Sequence, residues 1–185
     1  ADSDEVSHPR VGLVFTVDEE TGMEGATGID VSPLKGVKFL NIDSEAEGVF
    51  TVSCAGGARV ECKLNVERAA FEGTPLCISV TGLKGGHSGV EIIKGRANPN
   101  ILMGRILYLL SREQEMRLVS LSGGDKDNAI TTASRAVVVV SDADGAKALC
   151  NKMDSIFKAE YAGVDDGVTV SVDMADSSGL MPMDD

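Results

Sequence analysis

The sequence predicts an α/β (α+β) protein, in which a partial α/β sheet segment is followed by a ferredoxin-like β-α-β-β-α-β domain. Near-continuous apolar runs at residues 11–17, 38–42 and 49–54 are typical of short strands that are buried on both faces. After residue 58, strands of alternating polarity and two amphipathic helices follow one another instead. With 43% hydrophobic residues, the 185-residue chain can bury a substantial core.

The first segment, residues 1–57, looks like part of a larger sheet. Residues 21–30 predict either a short, glycine-weakened helix or a loop, and the turn at residues 55–57 predicts a domain boundary. Parallel strands need neighbours and crossover connections, which a segment of this length cannot supply for both faces of a sheet. We therefore expect this segment to belong to a larger domain, and the chain to be a fragment.

The second segment, residues 58–174, contains the half-buried strands and the helices of one compact domain. Strands are predicted at residues 60–66, 76–80, 117–121, 135–140 and 168–172. The Asn98-Pro99 pair predicts a helix N-cap followed by proline at the first helical position. Asp144 is predicted to cap a second helix that Gly163 ends. The order from residue 76 is the split βαβ arrangement, and residues 175–185 are predicted to be a flexible tail.

Composition excludes several classes of function. The chain carries 17 basic and 29 acidic residues, and its net charge of −12 argues against binding to nucleic acid or to an anionic membrane surface. No apolar run approaches the roughly 20 residues of a membrane span, and no signal peptide is visible. The four cysteines lack a CxxC pair, which favours reduced thiols of a cytoplasmic protein but leaves a disulfide open.

Three carboxylates follow predicted strands and are candidate metal ligands. Glu19 and Glu20 come directly after the first apolar run, and Asp43 follows the second. Ligands of open α/β sheets bind at the carboxyl ends of the strands, so these side chains could converge on one ion. Oxygen ligands alone suit Mg²⁺, Ca²⁺ or Mn²⁺, whereas zinc also prefers histidine. The alternative interpretation is that these are solvated loop residues.

Two polar residues in glycine-rich loops are further candidates. His87 lies in the segment GLKGGHSG (82–89), and Asn128 lies in GGDKDNAI (123–130). A histidine whose neighbouring glycines let the backbone approach a ligand could bind a metal or donate a hydrogen bond to a developing oxyanion. The alternatives are a surface histidine and a turn asparagine.

Taken in order, these stretches resemble the aminoacyl-histidine dipeptidase (Xaa-His dipeptidase, peptidase D) branch of the M20 zinc metallopeptidases. The resemblance covers most of residues 8–135 and is carried by residues 16–26, 41–48, 54–57, 82–89 and 123–130. It implies a homodimeric enzyme that hydrolyses dipeptides with two zinc ions per active site. It also implies that residues 1–57 belong to the catalytic domain and residues 58–174 to an inserted lid.

The resemblance implies a role for each candidate residue. Glu19 would be the general base, Glu20 and Asp43 two zinc ligands, His87 the lid histidine that polarises the scissile carbonyl, and Asn128 a substrate-binding residue. The family's His-x-Asp motif upstream and its histidine downstream have no counterpart, so the chain holds at most two of the zinc ligands. We therefore expect the isolated chain to be inactive. The alternative function is a non-catalytic ferredoxin-like dimerisation or ligand-binding module; an acidic Ca²⁺ module is weaker, since no EF-hand loop is present.

Overall fold

The computed structural model shows two compact units, residues 1–60 and 61–185. It describes residues 5–20, 22–43, 46–53, 56, 58, 60–176 and 181–184. The domain limits 1–57, 58–174 and 175–185 remain predictions from the sequence. No helix among the described residues is long and apolar enough to cross a membrane.

The N-terminal unit contains one short helix, α1 (Glu24–Gly28), and its described residues form no β-strand. The strands predicted at residues 11–17, 38–42 and 49–54 are therefore not formed where the chain is described. Cys54, and Ala55 and Gly57 of the predicted 55–57 turn, lie outside the described residues. Apolar side chains of these runs are exposed, including Phe15 at 88% and Phe39 at 86%. An apolar run becomes a strand only beside ladder partners and a covering layer, and the described part of this unit offers neither.

The C-terminal unit is built on a four-stranded antiparallel sheet and two long helices. Its elements are β1 (Thr74–Thr81), α2 (Pro99–Glu113), β3 (Met116–Gly123), β5 (Ser134–Val140), α3 (Ala143–Glu160) and β6 (Thr169–Met174). The strands lie in the order β3-β5-β1-β6. This order confirms the predicted ferredoxin-like fold. A two-residue ribbon, β2 (Gly86–His87) with β4 (Ala129–Ile130), and a 3-10 turn at Ile92–Lys94 complete the unit.

The core lies between the sheet and the two helices. Strand residues such as Leu76 and Val138 and helix residues such as Ile106 and Phe157 have no exposed surface. Period-two burial on the strands and the apolar stripe of each helix meet there, as the alternation in the sequence predicts. Of the described cysteines, Cys77 and Cys150 are buried thiols, and burial raises the pKa of Cys150 to about 11.

The helix caps differ in one place from the sequence prediction. Asn98 caps α2 as predicted, accepting a hydrogen bond from the backbone N–H of Asn100 at 2.9 Å. The cap of α3 is Asp142 and not Asp144, because the Asp142 carboxylate accepts from the N–H groups of Asp144 (3.1 Å) and Gly145 (3.0 Å). Asp144 instead lies in the first turn, where its charge favours the positive end of the helix dipole.

The segments that precede the first strand and follow the last strand of the sheet differ from the sequence prediction. Residues 60–66 form no strand, and Cys62 is exposed. The neighbouring residue Arg68 instead bridges to Met183, and the Met183 N–H donates to the Leu118 carbonyl at 2.7 Å. Where the sequence predicts a flexible tail, the described residues 181–184 are thus hydrogen-bonded to the sheet edge. Backbone pairing of this kind needs no side-chain periodicity, so the sequence pattern could not show it.

Candidate functional site

The loop that leaves β1 is fixed at both ends by one buried carboxylate. Asp165 has no exposed surface, and its two oxygens accept hydrogen bonds from the backbone N–H groups of Lys84 and Ala97, each at 2.8 Å. Lys84 also donates through Nζ to the carbonyl of Val164. A buried carboxylate needs such donors to offset its lost hydration. Asp165 therefore joins the start of the loop to the segment that enters α2.

His87 lies in this loop, on the ribbon β2–β4. His87 pairs with Ala129, and the Asn128 carbonyl accepts hydrogen bonds from Ser88 through its N–H (3.0 Å) and its hydroxyl (2.9 Å). The structure therefore brings His87 and Asn128 together on neighbouring loops, although 40 residues separate Ser88 from Asn128 in sequence. Both residues are exposed.

The imidazole of His87 is held by the turn that follows it. Its Nδ1 accepts a hydrogen bond from the Gly89 N–H at 3.0 Å and a longer one from the Val90 N–H at 3.4 Å. We define residues 86–91 as the histidine turn. The Glu91 N–H donates to the His87 carbonyl at 3.1 Å and closes the turn.

Glu91 connects the main chain of this turn to two cations. Its Oε2 accepts from the His87 N–H at 2.9 Å, and its Oε1 contacts Lys94 Nζ at 2.6 Å and Arg96 Nη2 at 3.2 Å. Arg96 also donates to the Gly85 carbonyl. The hydrogen bond from Lys94, with that from His87 and the charge of Arg96, lowers the pKa of Glu91 from 4.5 to about 2. Glu91 is therefore ionised at any pH near neutrality and braces the turn.

Glu91 and Asp165 are site residues that the sequence analysis missed. The spacing of Glu91 and Lys94, three residues apart beside a glycine-rich loop, is a weak signal that could have indicated the ion pair. Asp165 gives no signal, because its partners lie 68 and 81 residues earlier in the chain. Its burial depends on the tertiary fold.

The three acidic candidates belong to the N-terminal unit. Glu19 and Glu20 lie in a turn after Asp18, which has a φ of 58°, and both are exposed. Asp43 is exposed as well, and its N–H donates to Asn41 Oδ1 at 3.0 Å in a local turn.

The described residues do not by themselves form a metal centre. Where the chain is described, no group of three or more His, Cys, Asp or Glu side chains is placed to hold a metal ion. A structural or catalytic zinc site needs at least three protein ligands. The donors present, Glu20 and Asp43, do not meet that requirement, so no step of a reaction can be derived through zinc from this chain.

Comparison with known proteins finds similarity to peptidases. Residues 78–165 match the model of the peptidase dimerisation domain of the M20 family. The chain is 36% identical over 174 residues to the cytosol non-specific dipeptidase of Escherichia coli (strain K12). This alignment covers 91% of this chain and 36% of that protein. It is similar to the crystal structure of the aminoacylhistidine dipeptidase of Vibrio alginolyticus, with a TM-score of 0.68, 28% identity and coverage of 90% of this chain and 35% of that one.

The chain thus spans about a third of the length of the relatives that it matches. The matched residues contain both long helices, the histidine turn, β3, β5 and the second half of β1, whereas β6 follows them in the chain. The chain is therefore similar to the M20 peptidases through the dimerisation domain matched at residues 78–165, and to two dipeptidases over 91% and 90% of its own length.

Proposed function

We propose that this chain is a segment of a cytoplasmic dipeptidase, a hydrolase of peptide bonds whose substrates are dipeptides of the Xaa-His type. The dipeptidase relatives support the reaction class, and the word "cytosol" in the name of the Escherichia coli relative supports the compartment. The observation that carries the proposal is the placement of His87 on one braced ribbon and of Asn128 directly beside it. In it, the C-terminal unit is a lid that presents both side chains to the substrate.

The chemistry of these two side chains suits a lid. An imidazole N–H can donate to the carbonyl oxygen of the scissile bond, where negative charge develops as a nucleophile adds. The exposed amide of Asn128 offers both a donor and an acceptor to the substrate's own peptide group. The ion pairs of Glu91 hold the ribbon in place beforehand, so little ordering remains to be done when substrate binds.

The metal part of the proposal rests on the family resemblance alone. In it, the complete enzyme holds two zinc ions, Glu20 and Asp43 are two of their ligands, and Glu19 is the general base. Elemental analysis of the full-length enzyme would test this, with Glu20→Ala and Asp43→Ala each expected to reduce bound zinc. Unchanged zinc content in both variants would remove these residues from the site.

His87→Ala tests the proposed lid function. In the full-length enzyme that contains this chain, we expect kcat/KM to fall about 10²–10³-fold, the usual cost of losing one donor to a developing oxyanion. His8, the other of the two histidines, provides the matched control, and His8→Ala should leave kcat/KM unchanged. Equal activity of His87→Ala and the unmodified enzyme would contradict the proposal.

The isolated chain is expected not to hydrolyse dipeptides. It supplies at most two of the proposed zinc ligands, and the described residues form no metal centre. Incubating purified chain with zinc and a His-containing dipeptide, followed by chromatography of the products, measures this. Turnover that disappears in Glu19→Gln would show that the expectation is wrong.

A second proposed role, compatible with the first, is homodimerisation. The matched family model is described as a peptidase dimerisation domain. On α2, Ile101 and Tyr108 lie two turns apart on one side and are 63% and 65% exposed. Tyr108 also lines a shallow groove with Arg105, Leu109, Met153 and Ile156. We propose that a second copy of this chain covers this face of the helix pair.

Tyr108→Glu tests this interface. A new carboxylate in an apolar contact must be desolvated without a partner, so the variant is expected to sediment as a monomer at concentrations where the unmodified chain is a dimer. Ala148→Glu adds the same charge at an exposed position of α3 and should leave the dimer intact. Identical sedimentation of Tyr108→Glu and the unmodified chain would rule out this face as the interface.

A further inference from the structure

Among the described residues, the hydrogen bonds to Nδ1 of His87 come from donors alone. The backbone N–H groups of Gly89 and Val90 both point at it, at 3.0 and 3.4 Å. A backbone N–H can donate but never accept, so Nδ1 must offer its lone pair. A neutral imidazole carries its single hydrogen on the other nitrogen in that case, which here is Nε2.

The turn that sets this hydrogen position is fixed from several sides. Ser88 is bound to the Asn128 carbonyl, and Glu91 binds the His87 main chain through both its N–H and its carboxylate. Lys94 and Arg96 hold that carboxylate in turn. The amides of Gly89 and Val90 are therefore presented to the ring by a braced main chain.

Glycine at position 89 allows the ring to lie this close. A Cβ at Gly89 would stand 3.1 Å from Cε1 and 3.2 Å from Nδ1 of His87. Contacts that short are tighter than ordinary van der Waals separation, so a Cβ there would require the ring to shift by a few tenths of an ångström. Glycine therefore lets the ring keep its position against the two amides.

We propose that the histidine turn locks His87 in the Nε2–H tautomer, so that the lid presents a hydrogen-bond donor, and never an acceptor, at Nε2. The ligand that such a donor fits is a carbonyl oxygen or oxyanion of a peptide substrate. This inference rests on the proposed lid function. Gly89, Val90 and Glu91 are positioning residues in it, since they act on the reaction only through His87.

The tautomer can be measured in the chain itself. Long-range ¹H–¹⁵N correlation spectra of the uniformly labelled chain distinguish protonated from unprotonated ring nitrogens for each histidine, and a His8→Gln variant assigns them. We expect folded His87 to show only the Nε2–H form, whereas the chain in urea shows the mixture of a free imidazole. The same mixture in the folded chain, or a dominant Nδ1–H form, would overturn the proposal.

Two variants link the tautomer to the turn. Gly89→Ala should raise the share of the Nδ1–H form, because room for the added methyl group requires the ring to shift relative to the two amides. Gly104→Ala is the matched control, since nothing lies within 4 Å of a Cβ at that position, and it should leave His87 unchanged. Identical His87 spectra for Gly89→Ala and Gly104→Ala would show that the turn does not set the tautomer.

Activity of the full-length enzyme separates this inference from the function on which it rests. The Gln side chain can place an amide N–H near the position of Nε2, and the shorter Asn side chain places it near Nδ1. We expect His87→Gln to exceed His87→Asn by about tenfold in kcat/KM, the value of one ordinary hydrogen bond. If His87→Ala loses activity and His87→Asn is at least as active as His87→Gln, the tautomer lock alone is refuted. If His87→Ala remains active, the lid function is refuted as well.

Discussion

Replacing Asp165 by alanine is expected to lower the free energy of unfolding of the C-terminal unit by about 2–4 kcal/mol, because it leaves the buried N–H of Ala97 unpaired at about 1–3 kcal/mol and the partly buried N–H of Lys84 unpaired at a lower cost. Urea denaturation followed by tyrosine fluorescence measures this unit, since the chain has no tryptophan and both tyrosines, Tyr108 and Tyr161, lie in it. Because the freed amides belong to Lys84 and Ala97, the loop that carries the histidine turn should also lose protection from hydrogen exchange.

The neighbouring Asp166 provides the matched control. Asp166 is exposed and accepts one hydrogen bond, from the Gly163 N–H at 2.5 Å, so Asp166→Ala should cost only about 0.5–1.5 kcal/mol. Asp165→Asn should fall between the two, because its amide keeps one acceptor and turns its NH₂ toward the other N–H. If Asp165→Ala is no more destabilising than Asp166→Ala, Asp165 does not hold the loop.

The fold of the C-terminal unit could be predicted because its signals are local. Alternating residues such as Leu76, Ile78 and Val80 identify a strand with one buried face, and all three are fully buried in the structure. The Asn98-Pro99 pair identifies a helix start in the same way. Each of these patterns depends only on neighbours within a few residues, so the order of the elements, and with it the ferredoxin-like fold, follows from them.

The N-terminal unit could not be predicted in this way. A continuous apolar run such as residues 11–17 indicates a strand buried on both faces, and that interpretation presupposes neighbours on each side. The described residues of the unit provide no such neighbours, and side chains such as Leu40 and Ile42 remain 85% and 93% exposed. The apolar pattern indicates strands covered on both faces, and the described residues do not supply the covering layers.

The sequence could indicate His87 and Asn128 as candidate site residues because each stands out within a glycine-rich loop. His87 is one of two histidines and lies among glycines, and Asn128 belongs to a recognisable motif. Glu91 and Asp165 are two of 29 acidic residues in a chain of net charge −12, so apart from the weak signal of the Glu91–Lys94 spacing, the sequence does not distinguish them. Asp165 accepts from backbone groups that are distant in the sequence and that only the folded structure brings near, and Glu91 accepts from the His87 N–H four residues away through the shape of the turn.

Gly82→Ala is expected to destabilise the C-terminal unit by about 2–5 kcal/mol, through backbone strain of about 1–2 kcal/mol and overpacking of about 1–3 kcal/mol. Gly82 has a φ of +80°, which a residue with a Cβ adopts at a cost. A Cβ at this position would also lie 2.0 Å from the carbonyl oxygen of Gly167, which is backbone and cannot rotate aside. Relief requires the strand end and the 165–167 turn to separate, and that movement would pull Asp165 from the amides of the loop.

Gly104→Ala is the same chemical change, but it is expected to raise the free energy of unfolding instead of lowering it. Gly104 lies inside α2, and within one copy of the chain nothing lies within 4 Å of a Cβ there, so at concentrations where the chain is a monomer an added methyl group should raise the free energy of unfolding by about 0.5–1 kcal/mol through helix propensity. Urea denaturation of both variants beside the unmodified chain separates the cost of crowding at residue 82 from any general effect of replacing glycine. A Gly82→Ala chain as stable as Gly104→Ala would mean that β1 and the 165–167 turn do not pack as closely as described, and the anchoring of the histidine turn by Asp165 would then lose its structural basis.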